Sequence, residues 1–241
     1  MCCCLCCCLC CCSCCLLVLL PVLTCASVQG GGIHGGGFQA ALRGPFFEVL
    51  SKHFCCAQEC FASPLNCRWR SYCSAFADVD APFGGRRSFF DFEPKLGCFE
   101  ANPPFTSGVM LRMVAHMSTL LSRAHEAGLP LCFVVVIPAG GKQVEEQAHE
   151  ALKAHEHLTH HELLASREHG YTEGLQHTRR RRHRISTCDS SVFFLQTAAA
   201  AARWPVQEEQ MVELREAAKH VEKKGELCLL FQKGKCTRGD K

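Results

Sequence analysis

The sequence predicts an α/β fold in which helices cover a doubly wound, largely parallel sheet. The run Leu131–Ile137 is apolar at every position, which is typical of a strand buried on both faces of a parallel sheet. Between Met110 and Leu121, apolar side chains recur at offsets of 0, 3, 4, 7 and 11 residues, the spacing of one helix face. Strand-like and helix-like segments alternate along the chain, as in doubly wound folds. About four strands are recognisable by pattern, so we expect the sheet to be incomplete.

The first half of the domain begins near Phe38, after a glycine-rich linker. Glu59–Ser63 is a short apolar run that ends at Ser-Pro and is predicted to be a strand. Asn66–Phe76 is predicted to carry a helix. Gly97–Ala101 is the next predicted strand, and it leads into the amphipathic helix, which a glycine and a proline end at 128–130.

The second half continues the alternation after the apolar strand. A polar helix is predicted over about Gln143–His157, followed by a basic run at 179–184 and a last strand at Ser191–Thr197. The basic run could contact phosphates or act as a nuclear address, or it could be a solvated loop. His157, His160 and His161 have a spacing that a metal could use, but in a polar helical stretch we expect them to be exposed. Cys98 and Cys132 are predicted to be buried hydrophobes (both lie in apolar strands).

Composition limits the function before any motif is considered. A chain of 241 residues has room for one full domain and a short second module. Its formal charge of +3 excludes a surface that is cationic throughout and leaves room for a local basic groove. The 22 cysteines would suggest a secreted disulfide scaffold, but twelve of them lie within Met1–Cys25 in a Cys-Cys-Cys-Leu repeat. The other ten lack the regular spacing of a disulfide framework.

These patterns divide the chain into three regions. Residues 1–37 form a low-complexity segment of Cys, Leu and Gly, which is either a translated repeat or a signal peptide or membrane anchor ending near Ala26. Residues 38–206 carry the folded domain. Residues 207–241 carry a linker helix and a cysteine pair. No membrane association is expected unless the first segment is a genuine anchor.

Asn102-Pro103-Pro104-Phe105 is the tetrapeptide with the most specific chemistry. It follows a predicted strand and precedes a helix, where ligands bind in open α/β sheets. Two prolines restrict the backbone so that the Asn102 side-chain oxygen and the Pro103 carbonyl can face one point. Both are acceptors, matched to an exocyclic amine with two hydrogens. Phe105 offers a flat face for a stacked base, although a proline turn that caps a helix is an equally good interpretation of the tetrapeptide alone.

A second segment, Glu59–Asn66, also runs from a strand into a turn. It would place small residues and backbone N–H groups beside a cofactor at the carboxyl edge of the sheet. By itself this signal is weak. The candidate cofactor-binding residues in it are Glu59, Phe61, Ala62, Ser63, Pro64 and Asn66.

Taken together, these segments resemble the phosphorylated-CTD-interacting factor family, the cap-specific adenosine N6-methyltransferases. The two most specific segments are ECFASPLN at Glu59–Asn66 and FEANPPF at Phe99–Phe105. The likeness covers about Phe54–Pro205. It continues through Tyr72–Phe76, Asp78–Asp80, Phe83-Gly84, Phe133–Pro138, Glu168-His169, Ser191–Gln196 and Ala202–Trp204.

The resemblance implies a class I Rossmann-like methyltransferase that uses S-adenosylmethionine. In the family the substrate is the 2′-O-methyladenosine next to the mRNA cap, and Asn102–Phe105 match the catalytic motif at every position. The implied partner is the capped 5′ end of mRNA, and the implied location is the nucleus. The family also suggests the phosphorylated tail of RNA polymerase II as a partner. Trp69 and Trp204 are too widely separated to form a WW domain, so we do not expect that interaction to be carried over.

The last residues resemble the first half of a CCCH zinc finger. Cys228 and Cys236 are separated by seven residues and enclose an aromatic residue and a Lys-Gly pair. A structural zinc site needs four ligands, so these two cysteines are predicted to be half of a truncated site, and zinc is expected only if the finger is completed. We expect a third cysteine one residue past Lys241 and a histidine four residues beyond it. A chance pair of cysteines in a basic tail is the alternative.

Three other functions remain open at this level. The same tetrapeptide chemistry would serve an adenine N6-methyltransferase that acts on another nucleic acid. A non-catalytic RNA-binding protein could retain a degenerate methyltransferase fold and a finger as binding surfaces. A secreted or membrane-anchored cysteine-rich protein is suggested by residues 1–26 alone.

Overall fold

The computed structural model describes residues 40–139, 143–173 and 183–219. In these ranges it contains nine β-strands and six α-helices. The strands are β1 Ala40–Leu42, β2 Tyr72–Cys73, β3 Gly85–Arg86, β4 Gly97–Ala101, β5 Leu131–Ala139, β6 Leu158–Leu164, β7 Gly170–Glu173, β8 His183–Ile185 and β9 Asp189–Gln196. The helices are α1 Gly44–Phe54, α2 Ala77–Asp80, α3 Ser107–Glu126, α4 Gln143–Lys153, α5 Ala198–Arg203 and α6 Glu208–Ala218.

A mixed sheet forms the centre of the molecule. On one side, β4 pairs with β5 in parallel, and β9 lies antiparallel between β5 and β6. On the other side, β2 and β3 form a parallel pair. Residues 58–62 join the two sides, because Glu59 forms parallel bridges with Tyr72 and with Glu100. The strand order across the sheet is therefore β3, β2, residues 58–62, β4, β5, β9, β6.

The prediction of a largely parallel sheet is wrong at one strand. Strand β5 is buried on both faces as predicted, but its neighbour β9 runs antiparallel to it. An apolar run reports only that both faces of a strand are covered, and it carries no information about the direction of the neighbour. Alternate side chains of β5 enter two different cores, with Val134 in one and Phe133 in the other.

Helices cover both faces of this sheet. One core contains α1 and α6, through side chains such as Phe54 and Leu214. The other contains α3 and α4, through Met113, Met117 and Leu152. The helix expected to be a linker after residue 206 is thus α6, and its buried side chains pack against the domain.

A smaller antiparallel sheet, in the order β1-β7-β8, lies beside the mixed sheet. Strand β1 pairs with β7, so that Ala40 lies opposite Glu173. A buried polar network holds β7 to β9, because the Tyr171 hydroxyl and His169 Nε2 both lie within hydrogen-bond distance of Ser190 Oγ, at 2.6 and 2.8 Å. The smaller sheet is therefore anchored to the centre of the larger one.

Several predicted elements are confirmed. Strand β4 has the predicted bounds, α3 spans the amphipathic pattern, and β9 covers the predicted last strand except for Thr197, which caps the next helix. The eight cysteines of the described ranges are all free thiols, and Cys98 and Cys132 are buried as expected. No described helix combines the length and the apolarity that a membrane crossing requires.

Two predictions about local structure are wrong. Asn66–Phe76 forms turns on either side of the short strand β2 instead of a helix. His160 and His161 lie half-buried in a strand, β6, instead of on an exposed helix. His161 stacks on Phe193, with ring centroids 4.4 Å apart, which shows that a polar composition did not prevent packing. Residues 1–37, the run 179–182, Cys228 and Cys236 lie outside the described residues.

Candidate active site at the carboxyl edge of the sheet

The two predicted site segments lie side by side in the mixed sheet, because Glu59–Asn66 begins in the stretch 58–62 and Asn102–Phe105 follows β4. Cys60 donates its backbone N–H to the Glu100 carbonyl at 2.7 Å, and Glu100 donates to the Gln58 carbonyl at 3.1 Å. From residues 58–62 the chain moves outward to β2 and β3, and then it crosses to β4 on the opposite side. The strand order reverses at this point, and ligands of open α/β sheets bind where it does so, beyond the carboxyl ends of the strands.

Asn102 is the first residue after β4, and its side chain is held in one orientation. Its Nδ2 donates a hydrogen bond to the Ala40 carbonyl of β1 at 2.9 Å. Its Oδ1 is buried and accepts no hydrogen bond from any described residue. A buried acceptor without a donor costs about 1–3 kcal/mol, so this oxygen fits a ligand that brings an N–H group.

The rest of the tetrapeptide forms a tight turn between β4 and α3. Pro103 is buried, whereas Pro104 and Phe105 are partly exposed. The Pro104 carbonyl accepts a hydrogen bond from the Thr106 N–H at 2.7 Å, and the Thr106 carbonyl is the first acceptor of α3, from the Met110 N–H at 3.0 Å. Phe105 packs against the same core as α3. The turn thereby fixes the residues that follow Asn102 close to the strand end.

The segment Glu59–Asn66 is held together by its own polar groups. Glu59 Oε2 accepts hydrogen bonds from the backbone N–H groups of Arg68, at 2.8 Å, and Trp69, at 3.1 Å. Asn66 Oδ1 accepts from the Ser63 N–H at 2.8 Å and from Ser63 Oγ at 3.1 Å. The Asn66 amide oxygen closes the turn at residues 63–66. The Glu59 carboxylate binds the N–H groups of Arg68 and Trp69, and this explains why the residues after Asn66 turn instead of forming a helix.

The remaining candidate cofactor residues lie along the same edge. The Ala62 N–H donates to the Cys73 carbonyl at 3.0 Å, which ties the segment to β2. Phe61 is partly buried and packs on Phe89, with centroids 5.0 Å apart. Pro64 is partly exposed in the turn. The structure therefore brings residues 59–66 and 102–105 side by side at the carboxyl edge, the edge at which the sequence predicts each of them.

Two buried carboxyl groups lie behind this edge. Glu59 and Glu100 are 2% and 1% exposed. Burial raises the pKa of Glu59 to about 7, although the backbone hydrogen bonds from Trp69 and Arg68 oppose the shift. Burial, and then the neighbouring Glu59 charge, raises the pKa of Glu100 well above its ordinary range. Burial therefore favours the protonated form of Glu100 over a wider pH range than that of an exposed carboxyl group, which a strand pattern does not reveal.

A layer of close contacts supports the edge from the side of β2 and β3. Buried Asp80 accepts a hydrogen bond from Ser74 Oγ. Gly84 has φ +95°, and a Cβ there would lie 2.1 Å from the Arg70 carbonyl oxygen. A Cβ on Gly85 would lie 2.6 Å from Asp80 Cβ. Ser74, Asp80 and Gly84 lie in segments of family resemblance but were assigned no role from the sequence, and the Gly84-Gly85 pair was the available signal for a close backbone approach.

An open cavity of about 160 Å³ adjoins the site on the side of β1. Asn66 and Arg68 line it together with Ala41 and Thr172. It is smaller than the roughly 300–1,000 Å³ typical of sites that enclose a whole small molecule. Of the residues that the structure describes, no three His, Cys, Asp or Glu side chains are grouped so that they could hold a metal ion.

Comparison of the sequence with known proteins gives a match to one family model. Residues 15–174 match the family model described as "Phosphorylated CTD interacting factor 1 WW domain". The described part of that range runs from β1 to β7 and so includes both site segments.

Two curated relatives are similar over most of this chain. An mRNA (2′-O-methyladenosine-N6-)-methyltransferase from Mus musculus is 39% identical over 193 residues, which is 79% of this chain. A protein of the same name from Homo sapiens is 39% identical over 191 residues, or 78% of this chain. Each alignment covers 27% of the relative, so the chain spans about a quarter of the length of the proteins that it matches.

Proposed function

Because this chain belongs to the phosphorylated-CTD-interacting factor family, we propose that it is an S-adenosylmethionine-dependent methyltransferase acting on adenosine N6 next to the mRNA cap. The observation that carries the proposal is the buried, unpaired Oδ1 of Asn102 at the carboxyl edge of the sheet. The names of the mouse and human relatives support the same reaction and substrate.

The order of the strands supports a class I Rossmann-like sheet as the scaffold. A reversal of order between residues 58–62 and β4 gives two adjacent strand ends for one ligand site. Strand β9 lies antiparallel between β5 and β6, and helices cover both faces. In this proposal Phe61, Ala62, Ser63 and Pro64 contact the cofactor, whereas Glu59 and Asn66 hold the shape of their loop.

In the proposed mechanism this chain contributes orientation instead of a nucleophile. When it is bound, S-adenosylmethionine supplies an electrophilic methyl group. Asn102 Oδ1 and the Pro103 carbonyl accept the two hydrogens of the adenine amino group, and this directs the nitrogen lone pair away from the protein acceptors. Phe105 stacks on the base. Positioning of this kind can lower a barrier by up to about 7–11 kcal/mol.

The hydrogen bond to Ala40 is part of the same proposal. With one Nδ2 hydrogen donated to a main-chain carbonyl, the Asn102 amide is held in place and its oxygen is left as the unpaired acceptor. A group that brings hydrogens, such as an exocyclic amine, is then favoured over a carbonyl at the same position. The site selects for the reacting group as well as orienting it.

Two further proposals follow from the family. We take the capped 5′ end of mRNA as the substrate, and the nucleus as the location, because the related enzymes act on mRNA. The phosphorylated polymerase tail is a separate candidate partner, supported by the description of the matching family model.

The proposal is tested by comparing methyl acceptors. The full chain is incubated with labelled S-adenosylmethionine and with capped RNA that begins with 2′-O-methyladenosine, the same RNA without a cap, or DNA. Mass spectrometry of the nucleosides should find N6-methylation mainly in the capped RNA. Equal methylation of all three would instead indicate an adenine methyltransferase on another nucleic acid. Absence of cofactor binding by calorimetry would indicate a non-catalytic RNA-binding protein.

A further inference from the structure

Two exposed arginines near the candidate site are held by neutral groups instead of by carboxylates. The guanidinium of Arg112 lies over the ring of Phe90, 4.2 Å from its centroid. Arg87 Nη1 donates to the main-chain carbonyl of Asp91 at 3.4 Å. These contacts hold both side chains in place. Within the described ranges neither arginine forms an ion pair, so no carboxylate neutralises either charge.

Three other described arginines differ in this respect, whereas Arg43 and Arg203 are likewise held by neutral groups. Arg68 pairs with Glu48 at 2.9 Å, and Arg215 pairs with Glu162 at 2.8 Å. Arg123 is on the same helix as Arg112 but lies within 3.7 Å of Glu93. Because these three face a carboxylate, an anionic ligand would have to compete with it. Arg87 and Arg112 present no such competition.

Arg87 lies at the carboxyl edge of the sheet, and Arg112 lies in the second turn of the helix that begins there. Arg87 follows the last residue of β3, which runs parallel to the strands that carry the site. Arg112 is on α3, about 8 Å along the helix axis from its first residue at 1.5 Å per residue. Phe90, beneath Arg112, contacts Phe61 of the candidate cofactor segment, with centroids 6.1 Å apart.

We propose that Arg87 and Arg112, with Phe90 between them and the site, form the surface that binds the single-stranded RNA carrying the target adenosine. This inference rests on the proposed function, and it states which surface of the protein the RNA substrate contacts. Phosphates are the anions that a guanidinium fork fits best. An arginine already ordered by a ring loses less entropy when it binds. Arg86, also exposed at the end of β3, adds charge to the same edge.

The charged groups nearby do not cancel this surface. Asp91 is exposed, but Arg87 contacts its main-chain carbonyl, and Glu93 is engaged by Arg123. Arg86 and Arg87 are both close enough to lower the pKa of the buried Cys73 thiol, although burial has the larger effect and raises it to about 11. Their charges therefore act on the end of β2, beside the candidate cofactor segment.

The test compares RNA binding by matched arginine variants. Affinity for a single-stranded RNA oligonucleotide is measured by fluorescence anisotropy over a series of salt concentrations, without cofactor. The double variant Arg87→Gln/Arg112→Gln should bind about tenfold more weakly, and the slope of log affinity against log salt should fall by about 0.7 for each phosphate that the protein no longer neutralises. Arg112→Lys, which keeps the charge and removes the flat stacking group, should give an intermediate affinity.

Arg203→Gln is the control variant. Its guanidinium also lies over an aromatic ring, Trp204 at 5.1 Å, but it is on α5, which follows the end of β9 at the opposite edge of the sheet. It should bind RNA as the wild-type protein does. Thermal melting should show that all variants are folded.

Three results would overturn the inference. They are an unchanged affinity and salt slope in the double variant, an equal reduction in affinity in Arg203→Gln, or a loss of S-adenosylmethionine binding with RNA binding intact. If the chain binds RNA through Arg87 and Arg112 but transfers no methyl group, the proposed function fails and this surface stands. If the double variant binds RNA with wild-type affinity and still transfers the methyl group, the proposed function stands and only the proposed RNA-binding surface is wrong.

Discussion

The two halves of the mixed sheet are stabilised in different ways. In the half formed by β5, β9 and β6, strands of seven to nine residues pair along their length, and β5 and β9 bury alternating apolar side chains in two cores. In the half formed by residues 58–62, β2 and β3, the strands of two residues are supported by single polar contacts and close glycine approaches. The candidate site lies at the border, so its geometry depends on the half with fewer redundant contacts.

The largest expected effect is on catalysis at this border. Asn102→Ala removes the acceptor for the amino group and should lower the rate of methyl transfer by about 10²-fold or more. Because Asn102 is only partly buried, the free energy of unfolding should change by about 1 kcal/mol or less. Single-turnover methylation of capped RNA and chemical denaturation measure the two quantities.

Asn102→Asp separates the two functions of this side chain. It keeps an oxygen acceptor but cannot donate to the Ala40 carbonyl, so we expect a smaller loss of rate than in Asn102→Ala. Wild-type rates in either variant would show that Asn102 does not orient the amine.

The next largest effect tests the glycine support of the site half. In Gly84→Ala the new Cβ would meet the Arg70 carbonyl oxygen at 2.1 Å, at a backbone φ of +95°. We expect a loss of about 2–4 kcal/mol in the free energy of unfolding, measured by chemical denaturation.

Gly108→Ala is the matched control, because a Cβ at this position in the first turn of α3 would meet no atom within 4 Å beyond its chain neighbours and the backbone of its own helix turn. This variant should be neutral or stabilised by up to about 1 kcal/mol. Equal stability of Gly84→Ala and Gly108→Ala would show that the close approach of Gly84 to the Arg70 carbonyl does not stabilise the fold.

A pH-dependent effect is expected from Glu59. Its pKa is about 7 in the folded protein against an ordinary 4.5, so the native state binds more protons than the unfolded state between these values. The stabilisation is fully present below pH 4.5 and is lost as the pH rises through 7, by about 3 kcal/mol at 1.36 kcal/mol per unit.

Glu59→Gln isolates this contribution. The amide oxygen can still accept hydrogen bonds from Arg68 and Trp69, but it carries no charge. Denaturation at a series of pH values should show the variant gaining stability relative to the wild-type protein between pH 4.5 and 7. If the free energies of unfolding of the two proteins changed in parallel with pH over that range, the raised pKa of Glu59 would be contradicted.

The smallest effects compare polar contacts in the two halves. Ser74→Ala removes the donor to buried Asp80 and should cost about 1–3 kcal/mol. Lys153→Ala removes an exposed ion pair with Glu150 on the far half, at 3.2 Å, and should cost less than about 0.5 kcal/mol. If both variants lost a similar free energy of unfolding, the two halves would not differ in how strongly they depend on single polar contacts.

The same contrast explains which elements could be predicted from the sequence. Apolar periodicity identified α3, β4, β5 and β9, because in each case many side chains report the same environment. The turns after Asn66 could not be identified, since they depend on the Glu59 carboxylate reaching the N–H groups of Arg68 and Trp69. Strand β1 was also missed, because its partner β7 lies about 130 residues away in the chain and a three-residue run has no period of its own.

The candidate site was predictable to a similar degree. The adjacency of the two segments depends on the pairing of Glu59 with Glu100. The position of Asn102–Phe105 and Glu59–Asn66 at the carboxyl edge of the sheet follows from strand assignments. The contact between Asn102 and the Ala40 carbonyl does not, because a backbone acceptor leaves no trace in residue type. The raised pKa of Glu100 depends on burial and on Glu59, neither of which is visible in the run Gly97–Ala101.

The hydrogen bond between Asn102 and Ala40 also affects how the protein tolerates mutation. Its acceptor belongs to the main chain, so every amino acid at position 40 provides the same carbonyl group. Side-chain scanning of β1 would therefore pass over the partner of Asn102, although displacement of the strand would remove it. Selection on this contact acts on the residues that hold β1 in place, such as Leu42, which is buried in the core, and Tyr171, which lies opposite it in β7.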